Sequence, residues 1–205
     1  MSQTLGIFTG KKSEYNKLIL KSLVDGAKKT IHIAEYIYCN KADFPLPVNK
    51  NVVKSINSII CRKNSRLAEL SDKGYIRKEN NLWKLTLKGL CVALTLFNDF
   101  DDVKQFIDFK KIDRSFKSVV REAEKHPVIA LLRTKEADNI IKEQLNRMEN
   151  DAKFHELFLF KLRAYTEDMI RQGINIDIMP KLDFQLFMAN KIYFWMMEGN
   201  NVILK

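Results

Sequence analysis

The pattern of apolar and polar positions over the first hundred residues predicts helices followed by a β-hairpin. Apolar residues at helical spacing indicate a first helix over 13–24, capped by Ser13, and a second over 31–38, capped by Thr30. A third helix is expected over 51–72. Its apolar positions fall within one narrow sector at about 100° per residue. They are Val53, Ile56, Ile60 and Leu67, with Leu70 at the border, and Ser71 falls in the same sector.

Two short β-rich runs follow the third helix. Gly74 ends the helix at a place where the backbone often needs a positive φ. The runs cover 75–78 and 82–86, and Glu79-Asn80-Asn81 lies between them. Asparagine tolerates the left-handed region, so these three residues suit a tight hairpin.

The order of these signals resembles the end of a winged helix-turn-helix domain, of the kind found in MarR- and PadR-type transcription regulators. The resemblance is carried by L-x-x-L-x-x-x-G-Y-I over 67–76, the hairpin, and L-T-x-x-G over 85–89. It covers about residues 13–97 and implies a recognition helix, a wing and a first domain over 1–97. A helix–hairpin unit in another α+β fold is the alternative.

Two features depart from that pattern. The segment 40–51 is longer than the usual turn and contains Pro45 and Pro47, so it is interpreted as an inserted loop. It positions the third helix correctly only if it folds back on itself. Lys63 falls on the apolar side of that helix. Either its stem passes alongside the core, or the helix breaks near 61–64. The second alternative would leave 65–72 as a short helix and weaken the assignment of base contacts.

The second half of the chain predicts a helical domain over 98–205. A spacing that alternates by four and three indicates one long helix ending at Gly173, and an apolar helix follows over 181–198. The spacing predicts a homodimer held by residues 134–198, with a monomeric helical core as the alternative. The alternating positions are Ile141, Leu145, Met148, Ala152, His155, Leu159, Leu162, Thr166 and Met169.

Composition supports a mainly α (α+β) fold and directs attention to the first half. The 205 residues are 46% hydrophobic and include only four Pro and seven Gly. Residues 1–89 hold 17 Lys+Arg and 7 Asp+Glu, whereas residues 90–205 hold 18 of each. A basic excess confined to one module is typical of a protein that binds nucleic acid. A solubilising surface would give the same excess.

The predicted partner is double-stranded DNA. Short polar groups and arginines opposite the apolar sector of the third helix suit the major groove, where Arg reads guanine bidentately. The hairpin is expected to contact the backbone, with Trp83 packed on its inner face. The candidate residues are Ser55, Ser58, Arg62, Ser65 and Arg66 on the helix, and Arg77, Lys78, Asn80, Asn81 and Lys84 on the hairpin.

The sequence lacks the common catalytic and cofactor motifs. It has no phosphate loop, no G-x-G-x-x-G, no H-E-x-x-H and no G-x-S-x-G. We therefore expect that the protein is not an enzyme and that it binds neither a cofactor nor a metal ion. Without a signal peptide or a long apolar run, the protein is expected in the cytoplasm with no membrane partner. Its three cysteines are expected to be buried thiols.

Two other functions remain open. A winged helix also serves as a docking module in larger assemblies. A small-molecule effector is not identified by the sequence, although a regulator with a ligand pocket among Phe154, Phe158, Tyr193 and Trp195 is a further possibility.

Overall fold

The structure, a computed structural model, is mainly helical with one small antiparallel sheet, as the composition predicts. It describes residues 6–10, 13–41, 44–62, 64–104 and 109–198, with side chains over the same ranges except 109–115. The chain divides into two compact units. The first contains residues 1–107 and 166–178, and the second contains residues 108–165 and 179–205.

The first unit begins with a 3₁₀ turn and continues with helices on either side of a hairpin. Its core is formed by the buried faces of the first four helices and by the fifth helix, whose residues 87–94 are all buried. In chain order, the elements are the 3₁₀ turn Gly6–Phe8, α1 (Ser13–Ser22), α2 (Thr30–Asn40), α3 (Lys50–Cys61), α4 (Arg66–Asp72), β1 (Ile76–Glu79), β2 (Leu82–Leu85), α5 (Leu87–Thr95) and α6 (Phe100–Lys104).

The single third helix predicted over 51–72 is wrong, because the structure has α3 and α4 in its place. Asn64 takes a left-handed backbone with φ 62°, and Ser65 is extended, so the helical hydrogen bonds cannot continue. The Ser65 hydroxyl instead donates to the Ile60 carbonyl at the end of α3. The alternative with a break near 61–64 is the one observed. Lys63 itself lies outside the described residues.

The hairpin turn is tighter than the predicted three-residue connection. Glu79 pairs with Leu82 in the sheet, so only Asn80 and Asn81 form the loop. Their φ angles are 48° and 60°. Two successive positive φ angles are typical of the type I′ turn, which matches the twist of a hairpin and favours asparagine.

Trp83 anchors this hairpin to the start of α2. The backbone groups of Lys28 and Trp83 exchange hydrogen bonds of 2.9 and 2.8 Å, which adds a one-residue bridge to the sheet. The indole Nε1 donates to Thr30 Oγ1 at 3.2 Å. The prediction that Thr30 caps α2 is therefore wrong, since its hydroxyl faces the indole and Lys29 occupies the cap position. The predicted Ser13 cap is also wrong, because Ser13 is the first residue of α1 and not the residue that precedes it.

The structure explains why the L-T-x-x-G motif has Thr and Gly at the start of α5. The Thr86 hydroxyl accepts from the Gly89 amide at 3.0 Å, which caps the helix, and donates to the Gly74 carbonyl at 2.6 Å. A Cβ at Gly89 would stand 1.9 Å from the Tyr75 carbonyl oxygen. Glycine is required there because any side chain would keep α5 from lying this close to the Tyr75 backbone, just before β1.

A buried carboxylate from late in the sequence completes the first unit. Asp177 accepts from the Tyr75 hydroxyl at 2.6 Å and from the Ile7 amide at 3.2 Å. Burial, followed by the Asp177 hydrogen bond, raises the pKa of Tyr75. The segment 166–178 thus belongs with the hairpin unit, although the sequence assigns it to the domain over 98–205.

The described part of the second unit consists of helices and the short segments that connect them. It contains α7 (Phe109–Glu124), α8 (Pro127–Leu132), α9 (Lys135–Asn150), most of α10 (Ala152–Arg171) and α11 (Lys181–Glu198). Helix α11 packs against α7 and α9. Rings fill the core: Phe116 meets Phe158 at 4.5 Å between centroids, and Phe154 stacks on Trp195 at 5.5 Å.

The long helix predicted from the alternating apolar positions is wrong, because it is interrupted at Asp151. That residue is extended, and its carboxylate accepts from the amides of Lys153 and Phe154 at 2.9 and 3.2 Å, so α10 starts anew. Most of the alternating residues are buried within one copy of the chain, whereas Ala152 is exposed and Leu145 is half-buried. The stripe therefore supplies intramolecular core.

The three cysteines differ in environment. Cys91 is fully buried, and burial raises the pKa of its thiol to about 12. Cys39 and Cys61 are exposed, so the prediction of buried thiols is wrong for both. Over the described residues, no helix combines the length and the apolar character needed to cross a membrane.

We expect Gly89→Ala to lower the free energy of unfolding by about 3 kcal/mol or more, because the new methyl group meets backbone that cannot move aside. Chemical denaturation of the full chain measures this. Gly74→Ala is the matched control: its φ of 74° costs about 1–2 kcal/mol for a side chain, but the space around it is open. Equal losses for the two variants would contradict the close-approach explanation.

Candidate nucleic-acid interface

Helix α3 presents one side to the core and the other to solvent. Val53, Ile56 and Ile60 are buried, and α3 packs along α2. The helix begins cleanly because the Asn49 side chain accepts from the amides of Asn51 and Val52 at 2.9 and 3.4 Å. The side opposite the buried residues is therefore a fixed surface.

The inserted loop before α3 folds back onto α2. The Tyr38 hydroxyl donates to the Pro45 carbonyl and approaches the Pro47 carbonyl at 3.3 Å. The Tyr38 ring stacks on Phe44 with centroids 5.1 Å apart. The loop therefore folds back on itself, as it must if α3 is to be positioned correctly after such a long turn.

The structure brings only part of the predicted recognition set onto this surface. Ser55, Ser58 and Arg62 are exposed on it. The prediction that Ser65 lies on this surface is wrong. Ser65 is only 8% exposed, and its hydroxyl donates to the Ile60 carbonyl. Arg66 also lies off this surface, because it starts α4 and pairs with Glu69 at 2.9 Å.

Three residues that the sequence analysis left out join the surface at the start of α3. They are Lys50, Asn51 and Lys54, all exposed. Helical spacing puts Asn51 opposite the buried positions, with Lys50 and Lys54 beside it on one flank, so the periodicity contained this signal. We call the exposed polar set the α3 face; it consists of Lys50, Asn51, Lys54, Ser55, Ser58 and Arg62.

The hairpin carries the remaining predicted residues. Arg77, Lys78, Asn80 and Asn81 are exposed, and Lys84 is half-buried. The Glu79 carboxylate pairs with Arg77 at 3.0 Å and also with Lys84. The hydrogen bond from Lys84 is the main cause that holds the pKa of Glu79 below its usual range. Two hairpin cations thus share one carboxylate.

Charge is distributed very unevenly along these segments. From Phe44 to Ala68 the sequence has no Asp or Glu, and the hairpin's single acid is Glu79. The units as wholes differ less: the first holds 19 Lys+Arg and 13 Asp+Glu, and the second holds 16 and 12. The basic character that matters is therefore local to the α3 face and the hairpin.

The second unit has a cavity of about 670 Å³ along α7, lined mainly by charged residues. The residues that the sequence suggested for a ligand pocket pack against one another instead. The rings of Phe154 and Phe158 stack on Trp195, with centroids 5.5 and 6.2 Å apart, and fill the space between them. Within the part of the chain that the structure describes, no three potential metal-binding side chains form a cluster. The cavity lining is Lys117, Ser118, Arg121, Glu122, Glu124, Lys125 and Arg133.

No protein-family model, curated protein or solved structure matches this chain.

We expect Tyr38→Phe to leave the fold intact but to loosen the loop before α3. The variant removes the hydroxyl that donates to the Pro45 carbonyl and approaches the Pro47 carbonyl, which should lower the free energy of unfolding by about 1 kcal/mol. Amide hydrogen exchange should rise at the loop and at the first turn of α3 and remain unchanged in α5. Unchanged exchange at the loop would show that ring stacking alone holds it.

Proposed function

We propose that this chain is a winged helix-turn-helix protein that binds duplex DNA and regulates transcription in the cytoplasm. The observation that carries the proposal is the α3 face. It exposes Lys50 and Lys54 on a well-anchored helix and Arg62 directly after the helix ends, in a sequence stretch without a carboxylate. A helix of this kind fits the major groove of B-DNA, whose phosphates favour cations at its edges.

The order of elements supports the winged-helix interpretation. Helices α2 and α3 pack together, and the hairpin follows after α4. The bridge between Lys28 and Trp83 ties the chain just before α2 to the hairpin's second strand.

In the proposed complex, the α3 face would contact the bases and the hairpin would contact the DNA backbone. Ser55 and Ser58 are short, so the α3 backbone can approach the bases, and Arg62 can donate to guanine. Arg77, Lys78 and Lys84, with Asn80 and Asn81 at the tip, would contact phosphates and sugars from the hairpin. Such contacts add affinity without sequence choice. The proposed activity is binding, with no catalytic step.

A docking module is the second candidate, favoured by apolar side chains around α3. Leu46 is 78% exposed, Val48 43% and Ile59 46%. Exposed apolar groups of this size suit a protein partner better than a phosphate backbone. Salt dependence separates the two candidates, because only duplex binding releases counterions in proportion to the phosphates neutralised.

We expect the affinity for duplex DNA to fall steeply with salt. The α3 face and hairpin provide six cations, Lys50, Lys54, Arg62, Arg77, Lys78 and Lys84. Neutralising roughly six phosphates gives a log–log slope of roughly −5. Fluorescence anisotropy between about 50 and 200 mM salt measures it. The full chain is needed, because a fragment ending at residue 97 loses Asp177.

A flat salt response, or no binding at the lowest salt, would reject DNA binding and favour the docking module. Lys135→Ala is a suitable control, since this exposed residue of the second unit should leave the slope unchanged.

We expect helix and hairpin variants to affect binding differently. Arg62→Ala should reduce the preference for one site over another by about 1–3 kcal/mol if Arg62 contacts a base. Arg77→Ala and Lys78→Ala should weaken binding to all sequences alike. Arg66→Ala is the matched control, because that side chain pairs with Glu69 away from the α3 face. Altered site choice in the hairpin variants alone would refute this division.

We also propose a homodimer held by the second unit, since two-fold symmetry would place two recognition helices on two half-sites. The buried stripe cannot supply the interface. Exposed apolar residues of α10 and α11 support it instead: Leu157 is 44% exposed, Leu182 54% and Phe194 41%.

We expect Leu157→Glu to give folded monomers, because the residue is exposed and a charge would disfavour an apolar contact. Leu162→Glu is the contrast: Leu162 is completely buried, so that variant should unfold. Light scattering and circular dichroism measure the two effects. A wild-type chain that stays monomeric at roughly tens of micromolar would refute the dimer.

A further inference from the structure

Asn51 occupies the centre of the α3 face. At about 100° per residue, it lies about 170° from the middle of the sector buried by Val53, Ile56 and Ile60. Lys50 and Lys54 lie on one flank, and Ser55 lies on the other. In a helix docked by this face, Asn51 points straight towards the partner, while both lysines point sideways.

The side-chain amide of Asn51 is available for a partner. Its backbone amide is engaged by the Asn49 side chain at 2.9 Å, and its carbonyl accepts from Ser55 Oγ at 3.1 Å. In the described part of the chain, no hydrogen bond or ion pair involves the Asn51 side chain, which is exposed. An uncommitted amide held on the first turn of a capped helix is already positioned for recognition.

The chemistry of that amide selects one base. A carboxamide offers one donor and one acceptor side by side. Adenine presents the complementary pair in the major groove, N7 as acceptor and the N6 amino group as donor. Guanine presents two acceptors at the equivalent positions, which suit Arg or Lys, and the thymine edge offers an acceptor beside a methyl group.

We propose that Asn51 reads adenine in the major groove and makes the protein prefer sites with an A·T pair opposite the start of α3. This inference rests on the proposed DNA binding and adds a specificity-determining residue to it. Lys50 and Lys54 hold the adjacent phosphates, which fixes the distance from the first turn of α3 to the base edge.

The test uses a duplex selected by the full-length wild type from a randomised library at fixed salt. Each adenine of that duplex is replaced in turn by 7-deazaadenine, which removes the N7 acceptor and keeps Watson–Crick pairing. We expect one position per half-site to lose affinity for the wild type. Asn51→Ala should weaken binding to the unmodified duplex by roughly 5- to 150-fold and should be indifferent to 7-deazaadenine at that position.

Asn57→Ala is the matched control, because it changes the same residue type on the same helix. The Asn57 side chain is half-buried and accepts from the Cys61 thiol at 3.8 Å. This variant should keep the wild-type response to 7-deazaadenine.

Each other outcome overturns the inference in a recognisable way. If no adenine position is sensitive, or if the sensitivity persists in Asn51→Ala, Asn51 does not read adenine, although DNA binding stands. If the wild type binds with a steep salt slope but enriches no sequence, recognition by Asn51 is likewise refuted. If it binds no duplex at low salt, the proposed function fails together with the inference.

Discussion

The buried carboxylate of Asp177 is the constraint on which the first unit depends. It accepts from Tyr75, which directly precedes the hairpin, and from Ile7 in the opening 3₁₀ turn. A buried carboxylate without such donors would be costly, so the contacts must form together. Lys88 lies over the Tyr75 ring at 4.8 Å and donates to the Lys73 carbonyl at 3.1 Å. A segment far along the chain therefore fixes the base of the hairpin.

The hairpin is held at three further points, each of which restricts a different motion. Thr86 joins the end of β2 to Gly74 and to the first turn of α5. The bridge from Trp83 to Lys28 prevents the second strand from lifting away from α2. The type I′ turn sets the register, because a two-residue loop allows no slip. The hairpin cations therefore stand on a rigid support, which reduces the entropy lost when a partner orders them.

The sequence predicts local features well because they depend on neighbouring residues. Helical spacing identifies the buried side of α3, and asparagine with glycine identifies the hairpin. The break after α3 is harder to predict, since the apolar positions on both sides of it still share one sector. The Ser65 hydroxyl donates to the Ile60 carbonyl at the end of α3, where a continuing helix would use a backbone amide. The end of α9 at Asp151 is hidden for the same reason. Asp177 cannot be predicted at all, because its partner Ile7 lies 170 residues away.

The position of carboxylates says more about the α3 face than net charge does. Both units are basic, so a general excess of lysine does not distinguish them. What distinguishes the α3 face is that its cations have no acidic neighbours in sequence, whereas Arg66 and Arg77 are paired with Glu69 and Glu79. A paired arginine must give up its partner before it binds a phosphate, and an unpaired lysine loses only water and counterions. If the proposed DNA binding holds, the first contact with the phosphates should therefore fall on α3, and the hairpin should engage afterwards.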